Sequence, residues 1–576
     1  MIYDIIRVGG DDMYIRKTKV PYKEDYLVYL VESFRNEKNQ VRQRVLESYG
    51  YLSDLTKDNP NALEELKTWA KKQTEAQKAD TSIHLELNMN EAQDGTQKPL
   101  NYGYIFLEAI YHELNIPSFI RKYSNERAFK YDLDAILKLL VYSRALNPES
   151  KKKTFEHKGH YFFEMKDIEL SEMYRSLSEL NTLKDDLMIH LNKELTKKGL
   201  RDASLVFYDV TNYYFESDIN DGFREKGVSK ERKKTGIVQM GLFIDKQGIP
   251  ITYELFPGNT NDLSTMRPIL EKIKKQFNLG KLTIVADKGN NSSTNLAQID
   301  SYGDDYIIAQ KIRGRGTPLA DIVLDQEGYH VNQEGTFKHK LVRYERNVKD
   351  ADGTTKTLTE HLMCFWSEKE ARFQRAKRGL LDEKIEKFIE DPSLLNASNS
   401  FGVKKYFKQI KVDTKTGEVL KGKNTYDFNQ EKYQRDLELD GYYAIVTNNL
   451  KMHPFDIIKH YRQLSTIEES FKVTKSDLEG RPIYVWKEDH IKGHFLTCYL
   501  ALVLYRVLQT KLDKNYPIHQ LKEALNSAQM IRLAKHIVLL KDTSELFKTI
   551  TDAFSVNLNF KTMKIENFVQ SLKQIT

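Results

Sequence analysis

A chain of 576 residues is too long to fold around one core, so roughly two to four domains are expected. Its composition, 40% hydrophobic and 30% charged, is that of a soluble globular protein, and Lys plus Arg (89) exceeding Asp plus Glu (82) biases it mildly towards polyanionic partners. Two cysteines, Cys364 and Cys498, exclude a disulfide framework and a thiolate zinc site and fit a reducing cytoplasm.

The amino-terminal MIYDIIRVGGDDMYIRK carries acids where a signal peptide needs an uninterrupted apolar core, so export is not expected. Residues 27–34 (LVYLVESF) and 41–49 (VRQRVLESY) are β-prone and flank a polar NEKNQ, which reads as a hairpin or equally as helix running through. The polar stretch 59–99 reads as a helix followed by a linker. From 104 to about 199 the periodicity is helical, in YIFLEAIYHEL, DLDAILKLLVYSRAL and SEMYRSLSELNTLKDDLMIHLNKEL. Between the second and third lies NPESKKKTFEHKGH, a basic loop that is either merely solvated or the phosphate-contacting part of a helical DNA-binding module.

The pattern then changes. SLVFY (204–208) runs into Asp209, and VQMGLFI (238–244) is joined to ITYELF (251–256) by the turn-like DKQGIP. Asn261 and Asp262 are placed to cap a helix ending near Phe277; LTIVA (282–286) runs into Asp287; a helix from about Ser293 precedes YIIA (306–309). Three strands in succession followed by strands alternating with helices predict an α/β sheet of mixed direction. Residues 314–439, rich in Lys, Glu, Asp and Thr, read as an inserted domain, and GYYAIVT (441–447) resumes the sheet pattern and leads into YRQLSTIEESFKVTK (461–475). At about 100° per residue, Tyr461, Leu464, Glu468 and Lys475 share one helix face. The apolar run FLTCYLALVLY (495–505) ends at Arg506, is too short to span a bilayer, and reads as a buried helix of a protein with no membrane partner.

Asp209 and Asp287 each follow an apolar strand, and Glu468 follows a third by way of a helix. Strand ends are where open α/β sheets build sites. Three carboxylates meeting there would require a neutralising cation such as Mg²⁺, or Mn²⁺ in its place. Two such ions about 4 Å apart activate an attacking oxygen and stabilise a leaving one in phosphodiester chemistry.

Four blocks in order, YDVTNYYFES, GIVQMGLFIDKQGIPITYELFPGNTNDLSTM, IVADKGNNSS and YRQLSTIEESFKVTKSDLEGRPIYV, resemble the DDE transposases of bacterial insertion sequences, in the insertion-sequence-four superfamily and its branch numbered sixteen thirty-four. They cover about 204–310 and 441–500, with weaker support from VYSRALNPESKKKTFE. The resemblance implies an RNase H-like catalytic core of mixed sheet and helices, interrupted by a mostly β insertion and flanked by helical N- and C-terminal regions. Its third-acid signature, Tyr, Arg, Glu and Lys at fixed spacing, matches Tyr461, Glu468 and Lys475 and selects Glu468 over Glu469, while Leu464 stands where the arginine belongs. By resemblance Asp209, Asp287 and Glu468 ligate two Mg²⁺ ions, and Tyr461 and Lys475 touch phosphates at the element's end, with Arg462 a substitute for the missing arginine. Trp366 stands in the insertion, where the wider family can hold a flipped base, against a bland reading as a core tryptophan.

Further candidates for DNA contact are Lys233 and Lys234, in the basic stretch REKGVSKERKK (224–234), and Lys288 beside the second acid; Thr211 and Asn212 read as structural, and His490 with His494, four apart, as core or phosphate-facing. The expected division is 1–98 with a possible hairpin and linker, 99–200 helical and DNA-binding, 201–313 and 440–495 the two parts of the core, 314–439 the insertion, and 496–576 helical. The function expected is metal-dependent cleavage at terminal inverted repeats and joining of the 3′-hydroxyl to target DNA, by a homodimer in the bacterial cytoplasm. An end-binding regulator that no longer cuts, and a host nuclease on the same core, are the alternatives.

Overall fold

The computed structural model describes residues 13–21, 23–35, 41–79, 98–162, 168–227, 234–313, 319–390, 402–411, 424–512, 516–534, 537–558 and 560–575. Two compact units partition the chain, 1–96 and 97–576. In the first, β1 (Met13–Lys19), β2 (Tyr26–Arg35) and β3 (Val41–Tyr51) form an antiparallel sheet, followed by α1 (Leu52–Asp58) and α2 (Ala62–Ala79). The 27–34 and 41–49 segments thus pair as a hairpin. The linker expected up to residue 99 falls mostly on 80–97, outside the described residues.

The second unit opens with the short β4 (Leu100–Asn101) and the helices α3 (Ile105–Glu113), α4 (Ile116–Glu126), α5 (Leu133–Leu146), α6 (Lys151–Glu156) and α7 (Leu170–Lys197). Next come the meander β5 (Leu205–Tyr214), β6 (Ile237–Asp245) and β7 (Pro250–Pro257), then α8 (Asp262–Gln276), β8 (Thr283–Ala286), α9 (Ser293–Ser301) and β9 (Asp305–Gln310). The Asn261 side chain accepts from the Leu263 amide and so starts α8 where the sequence expects. After α10 (Leu319–Leu324) come β10 (His330–Val331), β11 (Phe337–Lys349), β12 (Thr355–Ser367), α11 (Glu368–Glu390), β13 (Phe407–Lys411), β14 (Asn424–Phe428), α12 (Gln430–Glu438) and β15 (Tyr442–Thr447). The chain closes with α13 (Pro454–Arg462), α14 (Ser465–Lys472), α15 (Glu488–Lys511), α16 (Ile518–Ser527), β16 (Gln529–Ala534), β17 (Ile537–Leu540), α17 (Glu545–Ala553), β18 (Thr562–Lys564) and α18 (Ile565–Lys573).

Among the described residues the main sheet has nine strands in the order β10-β11-β12-β15-β9-β8-β5-β6-β7. β5, β8 and β9 run parallel, and the remaining neighbours are antiparallel. The central strands read as continuous apolar runs because helices cover both faces. The 314–439 segment differs from a self-contained insertion: β10, β11 and β12 extend the main sheet through β15, and only β13 and β14 pair apart from it. Glu360 of β12 is fully buried and accepts from Arg346 Nε at 2.9 Å and from the Tyr306 hydroxyl of β9, which ties the added strands to the older ones.

Another expectation is corrected. The C-terminal region is not simply helical, because QMIRLA and IVLL form β16 and β17, which join β18 and the distant β4 in a four-stranded sheet. Their β-branched residues favour a half-buried pleat once β4 offers an edge. The apolar run 495–505 lies within α15, the one helix among the described residues long and apolar enough to cross a membrane, and it is packed inside the fold.

The basic stretch 147–160 is likewise not a solvated loop. Ser150 caps α6, accepting from the Lys153 amide, and this turns Lys151 inward to 4% exposure beside Arg144 of α5. Burial, and secondarily the Arg144 guanidinium, push the Lys151 ammonium down to about 7 from 10.5. Between those values the unfolded chain binds the extra proton, so stability rises with pH across that window and the full cost of the buried charge is borne below it. Lys151→Met, which keeps the apolar stem, is expected to stabilise the protein at neutral pH by on the order of 1–4 kcal/mol. Thermal denaturation across pH reads this as a raised midpoint and a flattened alkaline rise.

Candidate active site

The parallel register of β5 and β8 sets Tyr208 opposite Ala286. One step further, Asp209 and Asp287 follow on neighbouring strands, which lie about 4.8 Å apart in any sheet. Asp209 is not at the end of its strand: VTNYY is β-branched and aromatic, and β5 keeps pairing with β6 as far as Tyr214. What ends here is β8, so the site forms at its carboxyl end, where β5 projects past its parallel neighbour.

Alternation along β5 gives the two faces different duties. The Tyr208 hydroxyl donates to Thr265 Oγ1 of α8 at 2.7 Å on one side. Asp209 and Tyr213 point to the other, where the Tyr213 hydroxyl lies 2.7 Å from Thr474 Oγ1 in the segment after α14. Asp209 therefore faces the helices that follow β15. Asp287 caps the short turn Lys288–Asn290, accepting from the Gly289 amide at 2.8 Å and from Asn290 Nδ2 at 3.1 Å. A Cβ on Gly289 would come within 2.9 Å of the same carboxylate oxygen, which explains the glycine in DKGN.

The 461–475 stretch is not one helix. α13 ends at Arg462, the backbone tightens so that the Leu464 amide reaches the Tyr461 carbonyl, α14 runs only to Lys472, and Val473–Asp477 forms a π turn. The 100° phase does not survive these breaks, so the single face predicted for four residues dissolves. Leu464 is buried in the core. Lys475 leaves the π turn with its ammonium 5.5 Å over the Tyr213 ring. Glu468 is exposed on α14, whereas its neighbour Glu469 lies 3.6 Å from the buried guanidinium of Arg506.

The half-buried Tyr461 reports how these pieces converge. Its phenol is pushed up to about 12, by burial first and then by the charges of Asp287, the nearby Tyr443, Glu468 and Asp209. All three predicted acids thus bear on one hydroxyl. They do not close into a tight cage: among the described residues no three His, Cys, Asp or Glu side chains are gathered closely enough to grip an ion. Three carboxylates on three different elements, all oxygen donors and none fully buried, are nonetheless the donor set a hard divalent cation uses.

The model of the transposase DDE domain matches residues 201–504, more than half of the chain. The chain belongs to that family. Among solved structures, it is 11% identical to the Mos1 mariner paired-end complex with Mn over 31% of this chain and 59% of that one, with a TM-score of 0.14. It is 10% identical to the Mos1 transposase paired-end complex with left transposon end over 42% and 66% respectively, also at 0.14. This chain spans under two thirds of either Mos1 chain. No curated protein matches it.

The remaining candidate residues fall in several places. Arg462 is exposed and lines an open concavity of about 480 Å³ with Phe337, Phe455, Ile458 and Lys459, on a different side of α13 from Tyr461. Lys288 and Lys234 are exposed, and Lys233 lies outside the described residues. Part of the basic stretch is neutralised locally: Arg224 is paired with Asp221 and Lys226 with Asp218. Thr211 and Asn212 are buried. His494 is buried 3.2 Å from the Gly480 carbonyl, and His490 stacks near Tyr174. Trp366 donates to the Asp440 carbonyl at 3.1 Å and packs against the core, as the bland reading had it.

Sequence reasoning missed the supports behind the site. Arg506 donates to Ser470 Oγ at 2.9 Å from the C-terminal part of α15, and Arg144 donates to the carbonyls of Leu478 and Glu479, both at 3.1 Å. Both contacts join positions too distant in sequence for any local pattern to announce. Gly241, which pairs with Val210, is a third: a Cβ there would lie 2.6 Å from the Tyr208 hydroxyl and 2.8 Å from Ile269 Cδ1. Gly241→Ala is therefore expected to displace the ring next to Asp209 and destabilise the protein by about 1–3 kcal/mol, as measured by urea denaturation.

Proposed function

We propose that this transposase cleaves DNA at the ends of an insertion sequence and joins the freed 3′-hydroxyl to target DNA. The observation that carries the reading is the convergence of the Asp209, Asp287 and Glu468 charges on the Tyr461 phenol. The order of the meander, β8 and β9 supports assigning an RNase H-like core to this part of the sheet. Asp209, Asp287 and Glu468 are the residues we assign to hold Mg²⁺, or Mn²⁺ in its place, as a pair of ions. Bound there, the cations would supply the positive charge that polarises water and stabilises a leaving 3′-oxygen.

The chain's own residues do the rest. With its phenol held protonated at neutral pH, Tyr461 donates a hydrogen bond to a phosphate oxygen instead of adding a fourth negative charge. Lys475, steadied over Tyr213, attracts the neighbouring phosphate. Leu464 cannot make the contact that the family's arginine makes, and Arg462 offers its charge to the other side of α13. The capping of Asp287 by Gly289 and Asn290 fixes one carboxylate oxygen and restricts how the other can turn. We assign DNA ends and target DNA as the substrates, a homodimer as the working assembly, and the cytoplasm as its place of action.

The test is a Mg²⁺-dependent cleavage and joining assay with a labelled fragment carrying the gene's flanking DNA and a supercoiled target. Asp209→Ala, Asp287→Ala and Glu468→Gln are each expected to lower joined product by on the order of a hundredfold or more. Glu469→Gln, which touches Arg506 and not the acids, should retain most of it. Cleavage without joining would instead indicate a nuclease, and end binding without either a regulator.

Metal linkage provides an independent check. At a hundred times its Kd, Mg²⁺ is expected to stabilise the wild-type protein by about 2.7 kcal/mol. Calorimetry should find that increment lost in Asp209→Asn.

A further inference from the structure

Residues 478–487 connect the π turn to α15 without regular secondary structure, turning through a left-handed Glu479 (φ 43°) and a bend at Pro482. Their side chains alternate sharply: Ile483 and Val485 are buried at 2% and 4%, whereas Tyr484 and Trp486 are 62% and 52% exposed. In a chain that hides most of its large aromatics, two rings held outward by inward-pointing neighbours call for an explanation. The period of an extended backbone sets them about 7 Å apart on one side.

The support beneath them is rigid. Arg144 donates to the carbonyls of Leu478 and Glu479, the Gly480 amide donates to the Thr474 carbonyl at 2.8 Å, and the Gly480 carbonyl lies 3.2 Å from His494 Nε2. The Arg224 guanidinium, held by Asp221, stands 5.9 Å from the Trp486 ring and backs it while half the indole stays in solvent. Arg481 and the exposed Lys487 bracket the two aromatics, and Lys475 precedes them on the π turn; of the acids nearby, Asp477 and Glu479 bear on Lys522 behind, Glu488 pairs with Lys492, and Asp489 accepts from Ser178.

Exposed rings in file, fixed from below and flanked by cations, match an unpaired nucleic-acid strand. A duplex hides the faces of its bases, while a single strand offers them to any aromatic side chain regardless of sequence. We propose that Tyr484 and Trp486 form a stacking platform for an unpaired DNA strand leading away from the active site. The proposal rests on the reading of the protein as a DNA-cleaving transposase, because the segment that carries the rings begins just past Lys475.

Binding of fluorescently labelled oligothymidylate, followed by anisotropy, tests the platform apart from catalysis. The wild-type protein should bind it saturably with quenching of tryptophan emission. The Tyr484→Ala/Trp486→Ala double variant should bind at least about tenfold more weakly, with an unchanged circular dichroism spectrum because both side chains are exposed, and Trp486→Phe should recover most of the affinity. Equal affinity in the double variant would overturn the platform even if wild-type cleavage proceeds. A wild type that cuts no DNA end yet binds oligothymidylate through these two residues would uphold the platform and sink the transposase reading. Absence of oligothymidylate binding, with the double variant falling from dimer to monomer in sedimentation, would reassign the surface to contact between copies and overturn the proposal.

Discussion

The site depends on the register in which β5 lies beside β8. A slip of one residue would carry Asp209 to the opposite face, against Thr265 and α8, and leave Asp287 without its neighbour. Both faces of β5 guard against that slip. Tyr208 fits the space left by Gly241 and reaches Thr265, and Tyr213 meets Thr474 four residues beyond Asp209 on the site's own face. The two hydroxyl contacts lie on opposite sides of one strand, so no single shift can satisfy both. The direction of the acid between them is set by these two neighbours on the strand.

The third acid reaches the site by a different physical route. Glu468 rides on a short helix whose two ends are irregular, and such a helix needs holding from outside. Arg506 reaches Ser470 from the buried interior of α15, and Arg144 grips the carbonyls just past the π turn. These guanidiniums stand deep in the protein, where desolvation is costly. Multiple donors on one planar group let each arginine bind several acceptors at once, which a lysine could not match. Lys151 nearby, lowered by burial and by the Arg144 charge, shows what burying a cation costs.

Much of the fold between 204 and 310 was legible, because apolar runs of strand length, the Asn261 cap and the turn in DKQGIP are local signals. Asp209 and Asp287 were legible for the same reason: each breaks an apolar run. The breaks in 461–475 were not. Leu464 is a good helix former, and only its burial in the tertiary core accounts for the tightened turn around it. The helical wheel therefore grouped Tyr461, Glu468 and Lys475 for a reason the structure does not use, since each sits on a separate helical segment. The inward turn of Lys151, in a stretch readable as solvated or phosphate-contacting, was not legible, because nothing in KKK distinguishes the one lysine that Ser150 turns inward. The pairing of β16 with β4 joins residues more than four hundred positions apart, beyond the reach of any pattern along the chain.

The place of β15 gives the segment before it more than a spacer's part. β15 pairs with β9 on one edge and β12 on the other, and the chain passes from it directly into α13 and Tyr461. Strands contributed by the 314–439 segment thus share hydrogen bonds with the strand that aims the site's phenol. One side of α13 turns Tyr461 towards the acids, while Phe455, Lys459 and Arg462 meet Phe337 of β11 across the open concavity. The strands that separate the second and third acids in sequence thus lie in the same sheet as the strand leading to Tyr461.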